Sequence, residues 1–285
     1  MKPPRSIALF THRAPEETGE AVRRVLDAAQ EANVEVRLPA REAEKHGVAS
    51  EPGVTQTSGV PLDVDMAVVL GGDGTILEAL RAYAGRDVPV FSFNYGAIGF
   101  LSTVEDGDLD FGLRCVFAGE FETLPMPALA IDAGGERRYA VNDISLHRRP
   151  DSRVAELAYS VQGETLGRVR CDGLVASTPV GSTGYNLANG GPVLAWGVEG
   201  FVVSFIAPHT LTARGLVVAI DDQLTVSNVA QHDPVDVTVD GRSVGELGPG
   251  QDLEVGFEHD RVLLAQIPGS TFYGRLREKF GRLAY

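Results

Sequence analysis

Five consecutive apolar residues, Met66-Ala67-Val68-Val69-Leu70, run directly into Gly71-Gly72-Asp73-Gly74-Thr75, after which apolar residues return at helical spacing, Ile76, Leu77 and Leu80. A strand without polar alternation is buried on both faces, the condition of a parallel sheet covered by helices on each side. The glycine turn then lies at the carboxyl edge of that sheet, where open α/β folds bind their ligands, and its glycines let backbone N–H groups come close to phosphate. Asp73 is the one ionisable residue of the turn, so it is the candidate to take a proton from an attacking hydroxyl or to orient it. A plain tight turn accounts for the same residues equally well, because Asp-Gly is a common turn pair and Thr75 would cap the helix it starts.

The neighbouring segments share this alternation of strand and helix. Residues 7–10 are apolar, and residues 16–34 carry Val22, Val25, Leu26 and Ala29 at helical spacing. Strands are predicted over 34–38 and 89–93, with a polar stretch from 40 to 61 between them. From about Leu124 the texture changes to short β-like segments separated by Gly, Pro, Asp and Asn, at 128–131, 139–147, 154–161, 201–206, 216–220, 224–229, 235–239 and 253–257. Close spacing of that kind predicts a sandwich or stacked sheets. The last segment is amphipathic, with Leu276, Phe280 and Leu283 on one helical face. The predicted organisation is an α/β domain over 1–124, a β-rich, sandwich-like domain over 125–267, and a tail, 268–285, that packs back on the first.

Charge narrows the partners. The net charge of −14 counts against nucleic acid and anionic membrane, both of which demand a basic face. No apolar run approaches the roughly 18 residues that span a bilayer, and the N-terminal segment lacks the apolar core of a signal peptide, so a cytoplasmic protein is expected. Lysine occurs only at Lys2, Lys45 and Lys279, which leaves 22 of the 25 cations as arginine. That balance suits the high-salt cytoplasm of a halophilic archaeon; a GC-rich genome favouring arginine codons is the alternative. Cys115 and Cys171 stand far apart without a CxxC spacing, which predicts reduced thiols and neither a disulfide framework nor a zinc site.

Two further motifs break the local pattern. Asn142-Asp143 stands between Val141 and Ile144 in a β-like stretch that disfavours both residue types. An amide beside a carboxylate can bracket a diol such as a ribose; a bulge or turn is the alternative, which spacing alone favours. Residues 171–192, from Cys171-Asp172-Gly173 through Gly181-Ser182-Thr183-Gly184-Tyr185 to Gly191-Pro192, crowd small and hydroxyl residues into a segment with few charges. This is the composition of a backbone-rich ligand site, and Tyr185 adds a flat face with a polar tip. Leu174, Val175 and Val180 argue that the segment is packed rather than a loose loop. His209 either touches a ligand or fixes its loop, with the structural role favoured. Solvated pairs are the default for Arg148-Arg149 and Arg168/Arg170.

In order along the chain, GGDGT, FNYGAIGFL, NDIS, DGLVASTPVGSTGYNLANGGP, APHTLTARGLVV, VDGR and FYGRLREKFG resemble the NAD kinase family from about Met66 to Gly281. GGDGT alone also resembles phosphofructokinases and lipid kinases, whereas the long third motif with its downstream PHTL is far more specific. The resemblance implies a two-domain NAD kinase fold and ATP-dependent phosphorylation of the adenosine-side ribose 2′-hydroxyl of NAD to give NADP, with Mg²⁺ accompanying ATP. It implies Asp73 as the base and Gly71, Gly72, Gly74 and Thr75 at the ATP phosphates. Contacts to the dinucleotide would fall on Phe100, Asn142, Asp143, Asp172, Thr183, Gly184, Tyr185 and His209. No protein metal ligand is implied, polyphosphate is an alternative donor, and a homo-oligomer, dimer or tetramer, is expected.

Four positions depart from the family pattern. Asp143 replaces the commoner Glu, Val180 removes a hydroxyl and Gly184 a methyl from the usual TPTGSTAY, and ARGLVV has Gly215 where proline is common. Two rival readings therefore stay open: another GGDGT phosphotransferase acting on a lipid or sugar phosphate, and a non-catalytic NAD(P)-binding sensor of the same fold.

Overall fold

The computed structural model of the chain describes residues 1–96 and 99–281. By its contacts the chain divides into two compact units, one made of Met1–Pro125 together with the chain from Arg261 onward, the other of Met126–Asp260. In chain order the first unit contains β1 (Ser6–Thr11), α1 (Pro15–Glu31), β2 (Glu35–Pro39), α2 (Ala40–His46), β3 (Val54–Thr57), β4 (Met66–Gly71), α3 (Asp73–Ala82), β5 (Pro89–Asn94), β6 (Val104–Glu105) and α4 (Leu109–Ala118). Its strands run parallel in the order β5-β4-β1-β2-β3, with β6 beside β5.

Residues 66–70 expose none of their surface. Met66, Val68 and Leu70 join Val22, Val25 and Ala29 of α1 and Leu113 and Val116 of α4 in one apolar cluster. Ala67 and Val69 alternate with them and therefore face the other side of the sheet, which is why the run has no polar residue. Chain order against strand order reverses between β1 and β4, so the turn after β4 opens at the crevice where such sheets bind ligands.

Two elements occupy the polar stretch 40–61. The seven-residue α2 buries only Ala43, and β3 is a short edge strand with half-buried ends and an exposed middle. With so little apolar surface to bury, neither leaves a periodic signature. The helix after the glycine turn also begins earlier than Thr75. Gly72 is its extended N-cap, and its carbonyl accepts from both Thr75 and Ile76, so Asp73 is the first helical residue.

The second unit is antiparallel. It contains β7 (Glu122–Ala133, from Met126 onward), β8 (Glu136–Ala140), β9 (Asp143–Arg148), β10 (Ala155–Val161), β11 (Glu164–Cys171), β12 (Gly173–Ser177), α5 (Tyr185–Ala188), β13 (Gly200–Ile206), β14 (Leu216–Ala219), β15 (Leu224–Asn228), β16 (Val235–Val239), β17 (Arg242–Leu247) and the first part of β18 (Asp252–Gln266). One sheet has the order β14-β13-β12-β9-β16-β17, and the other joins β11-β10-β15-β18 with the β7–β8 hairpin. Leu146, Leu174, Phe201 and Val237 of the first sheet meet Leu129, Leu157, Val226 and Val255 of the second in a single core, the sandwich arrangement.

The expected strand 139–147 is interrupted. Instead of bonding a neighbouring strand, the N–H groups of Val141, Asn142 and Asp143 all turn to the carboxylate of Asp240. Strands β11 and β17 carry mostly exposed side chains, and β12 lies inside the hydroxyl-rich motif, so none shows a plain alternation.

The chain returns to the first unit at the end of β18, where Leu263 and Leu264 pair in parallel with Pro89 and Val90 of β5. Helix α6 (Phe272–Gly281) follows in the same unit. Its buried residues are Phe272 and Arg275, while Leu276 and Phe280 are half-buried and Leu283 lies outside the described residues. Among the described residues no helix is long and apolar enough to cross a membrane.

Candidate active site

Gly71 of the β4–α3 turn and Gly96 of the turn after β5 are required by close approaches rather than by backbone strain. A Cβ on Gly71 would lie 2.6 Å from Oγ1 of Thr75, and one on Gly96 would lie 2.9 Å from Cα of Gly72. The turn after β4 and the turn after β5 thus touch backbone to backbone, tied by the Tyr95 N–H donating to the Gly71 carbonyl at 3.3 Å. A Cβ on Gly74 would meet nothing within 4 Å, so that residue faces open space. The result is a bare stretch of main chain at a helix N-terminus, suited to an anion.

Asp73 sits at the start of α3 with both carboxylate oxygens held. Oδ2 accepts from the Phe100 N–H at 3.0 Å and Oδ1 from the Leu101 N–H at 3.2 Å. Burial raises its pKa above the ordinary carboxylate value, opposed by these two amides and by the charges of Lys279 and Arg275. A carboxyl tuned upward while its charge stays compensated is a better proton acceptor than a solvated one. Phe100 is half-buried, and its ring packs against Phe280 of α6 with centroids 5.6 Å apart. Residues 97–98 of the FNYGAIGFL motif lie outside the described residues.

In the second unit the Asn142-Asp143 break is stitched to the third motif. Thr178 Oγ1 donates to the Val141 carbonyl at 2.6 Å, and the Asn142 carbonyl accepts from Thr178 N–H and Ser177 Oγ. The fit leaves no room: a Cβ on Gly181 would lie 2.1 Å from the Asn142 carbonyl oxygen. Oδ1 of Asn142 is buried and has no hydrogen-bond partner among the described residues, which is uncommon for a buried polar atom. The Asp143 carboxyl is 7% exposed and is pushed up to about 7, first by burial and then by the carboxylate of Asp240.

Asp143, Asp172 and Tyr185 are brought together, since both carboxylates raise the pKa of the Tyr185 phenol alongside its burial. The Tyr185 ring stacks on His147, centroids 5.6 Å apart and planes 11° from parallel, while His147 Nε2 bonds Ser145 Oγ at 2.9 Å. Burial lowers the His147 pKa, which keeps the ring neutral. Asp172 accepts from Arg148 Nε at 2.6 Å. Thr183 Oγ1 donates to the Val180 carbonyl at 3.3 Å, and Gly184 N–H to the Gly181 carbonyl at 2.8 Å. The turn therefore closes through its main chain despite the missing methyl, and Val180 is buried where the family has a hydroxyl. His209 donates its backbone N–H to the Arg170 carbonyl, and its side chain is exposed.

The arginine pairs are not simply solvated. Besides Arg148 with Asp172, Arg149 pairs with Asp236 and Glu246, and Arg168 and Arg170 both pair with Glu156. The sequence assigned no role to Asp240, His147 or Arg275, although Asp240 lies in VDGR and Arg275 in FYGRLREKFG. Asp240 belongs to an Asp-Gly pair closing the β16–β17 hairpin; its φ of +45° is a conformation that Asp tolerates better than most residues.

Similarity to known proteins covers both units. The model described as "ATP-NAD kinase N-terminal domain" matches residues 10–121, and that described as "ATP-NAD kinase C-terminal domain" matches residues 141–264. The NAD kinase of Gemmatimonas aurantiaca is 35% identical over 238 residues, covering 81% of this chain and 82% of that protein. That of Natranaerobius thermophilus is 29% identical over 285 residues, covering 96% and 97%. Among solved structures, an NAD kinase from Archaeoglobus fulgidus in complex with ATP has a TM-score of 0.72 at 25% identity, covering 98% of each chain. Yeast NADH kinase complexed with NADH shares the fold, with a TM-score of 0.87 at 22% identity, covering 99% of this chain and 89% of that one.

Proposed function

The chain belongs to the ATP-NAD kinase family and phosphorylates NAD, and from that premise we propose that ATP is the donor and that Asp73 takes the proton of the adenosine-ribose 2′-hydroxyl. The ribose oxygen forms its bond to the γ-phosphorus as the bond to the ADP oxygen breaks, and the hydroxyl proton passes to the carboxylate. The observation that carries this reading is the half-buried Asp73 carboxylate, held on two amides beside the bare glycine turn. Gly71, Gly72, Gly74 and Thr75 face the donor phosphates in this reading. Phe100, Asn142, Asp143, Asp172, Thr183, Gly184, Tyr185 and His209 are assigned to the dinucleotide. The unpartnered Oδ1 of Asn142 and the stacked Tyr185 ring support that assignment, since one awaits a donor and the other presents an aromatic face.

Among the described residues no cluster of three or more His, Cys, Asp or Glu side chains is arranged to hold a metal ion. In this reading Mg²⁺ would enter with the ATP phosphates and would neutralise their charge. The chain's own contribution is to position the phosphates and the hydroxyl and to accept the proton.

An assay with NAD, Mg²⁺ and either ATP or polyphosphate, followed by 31P NMR of the product, tests the reaction. NADP phosphorylated at the 2′ position, formed with ATP in step with ADP, is the expected result. Tight NAD binding without ATP-dependent product would contradict it.

A further inference from the structure

Phosphoryl transfer by positioning requires that a base point the same way in every turnover. Asp73 does not achieve this through its own helix, because both of its oxygens rest on the consecutive amides of Phe100 and Leu101. Those amides belong to the irregular stretch just before β6, and both of them are spent on Asp73 rather than on a neighbouring strand. Its carbonyls are held from two elements: that of Leu101 accepts from Ser92 Oγ of β5 at 3.3 Å, and those on either side of it are held from α6. The Phe100 carbonyl accepts from Nη1 of Arg275 at 3.2 Å, and the Ser102 carbonyl accepts from the same nitrogen.

Arg275 lies on α6 and is only 8% exposed. Burying a guanidinium carries a desolvation cost that an aliphatic side chain would avoid, so packing alone does not account for it. The helix is anchored to the same region at further points. Phe280 packs on the Phe100 ring, and Lys279 donates to Glu105 at 3.2 Å. Glu105 in turn accepts from Asn94 Nδ2 at 2.8 Å, and Asn94 Oδ1 accepts from Gly96 N–H at 3.1 Å.

We propose that Arg275 is a positioning residue of the phosphoryl-transfer centre: by clamping the carbonyls of Phe100 and Ser102 it fixes the strip whose amides hold Asp73, and so sets the direction in which that carboxylate meets the acceptor hydroxyl. The proposal rests on Asp73 being the base. The electrostatics agree with the geometry. Lys279 and Arg275 both lower the Asp73 pKa against the effect of burial, while Asp73, Glu278 and Glu105 support the charge of the buried guanidinium. Removing the cation therefore moves Asp73 further up, and the acidic limb of kcat moves to higher pH, because the base acts in its deprotonated form.

Arg275→Met, Arg275→Lys and Asp73→Asn separate the possibilities when kcat, KM for NAD, the melting temperature and a 13C-carboxyl titration of aspartate-labelled protein are measured on each. Arg275→Met is expected to lower kcat about a hundredfold with little change in KM, and to raise the titration midpoint of the Asp73 signal, assigned by its loss in Asp73→Asn. Arg275→Lys keeps the charge but not the planar fork. It is expected to titrate near wild type while losing about tenfold in kcat.

A folded Arg275→Met protein with unchanged Asp73 titration and wild-type kcat would overturn the proposal. Should that variant not fold, Arg275→Lys decides alone, wild-type kcat overturning it. Failure of the base assignment is distinct, since it shows as near-normal turnover in Asp73→Asn whatever the arginine variants do.

Discussion

Burial and the neighbouring Asp240 carboxylate bring the Asp143 carboxyl to about 7, so its charge changes within the working range of most enzymes. The folded pKa lies above the ordinary 3.8, which fixes the sign of the stability effect. The contribution is fully present below about 3.8 and is lost as pH rises through about 7. The melting temperature of wild type should therefore fall between pH 5 and pH 8, and Asp143→Asn should flatten that fall; an equally steep fall in the variant would show that the titrating group lies elsewhere. Asp73, Asn142 and Asp143 were legible in the sequence because each violates its local pattern, a charge in a glycine turn or polar residues in a strand. Asp240, Arg275 and His147 were not, because their roles come from partners 97–99, 173–175 and 38 residues away in the chain.

Elements that bury an apolar face announced themselves, and those that do not stayed silent. The strand Met66–Gly71 and helix α1 were readable from periodicity, whereas α2, β3, β11 and β17 fully bury few of their side chains and were not. The contact between the turn after β12 and the β8–β9 break is equally invisible in one dimension, yet it is a tight backbone-to-backbone fit. Gly181→Ala would drive a Cβ to 2.1 Å from the Asn142 carbonyl oxygen. Overpacking of this kind costs about 1–3 kcal/mol. The variant should melt at a lower temperature and bind NAD more weakly, because the strain falls on the main chain that presents Asn142. Chemical denaturation together with NAD titration checks both, and unchanged NAD affinity would dissociate Asn142 from the dinucleotide.

Over the whole molecule, a net charge of −14 repels itself, and only three of the 25 cations are lysines. Screening that repulsion should stabilise the folded chain, so both the melting temperature and NADP formation are expected to rise from low to molar KCl. A flat or falling response would favour codon usage as the origin of the arginines. The two-unit organisation was readable because the texture of the sequence changes near Leu124, and the return of the tail was expected from 268; that it begins at Arg261 was not legible, because β18 is one continuous strand that divides there without any break in composition. The proposed reaction turns on one carboxylate, that of Asp73. The measurement that tests this most directly compares NADP formation and NAD affinity in wild type and Asp73→Asn, which keeps the shape of the side chain and removes its basicity. Turnover should fall by about 10²–10⁴-fold with NAD affinity nearly unchanged, and near-normal turnover in the variant would contradict the assignment of Asp73 as the base.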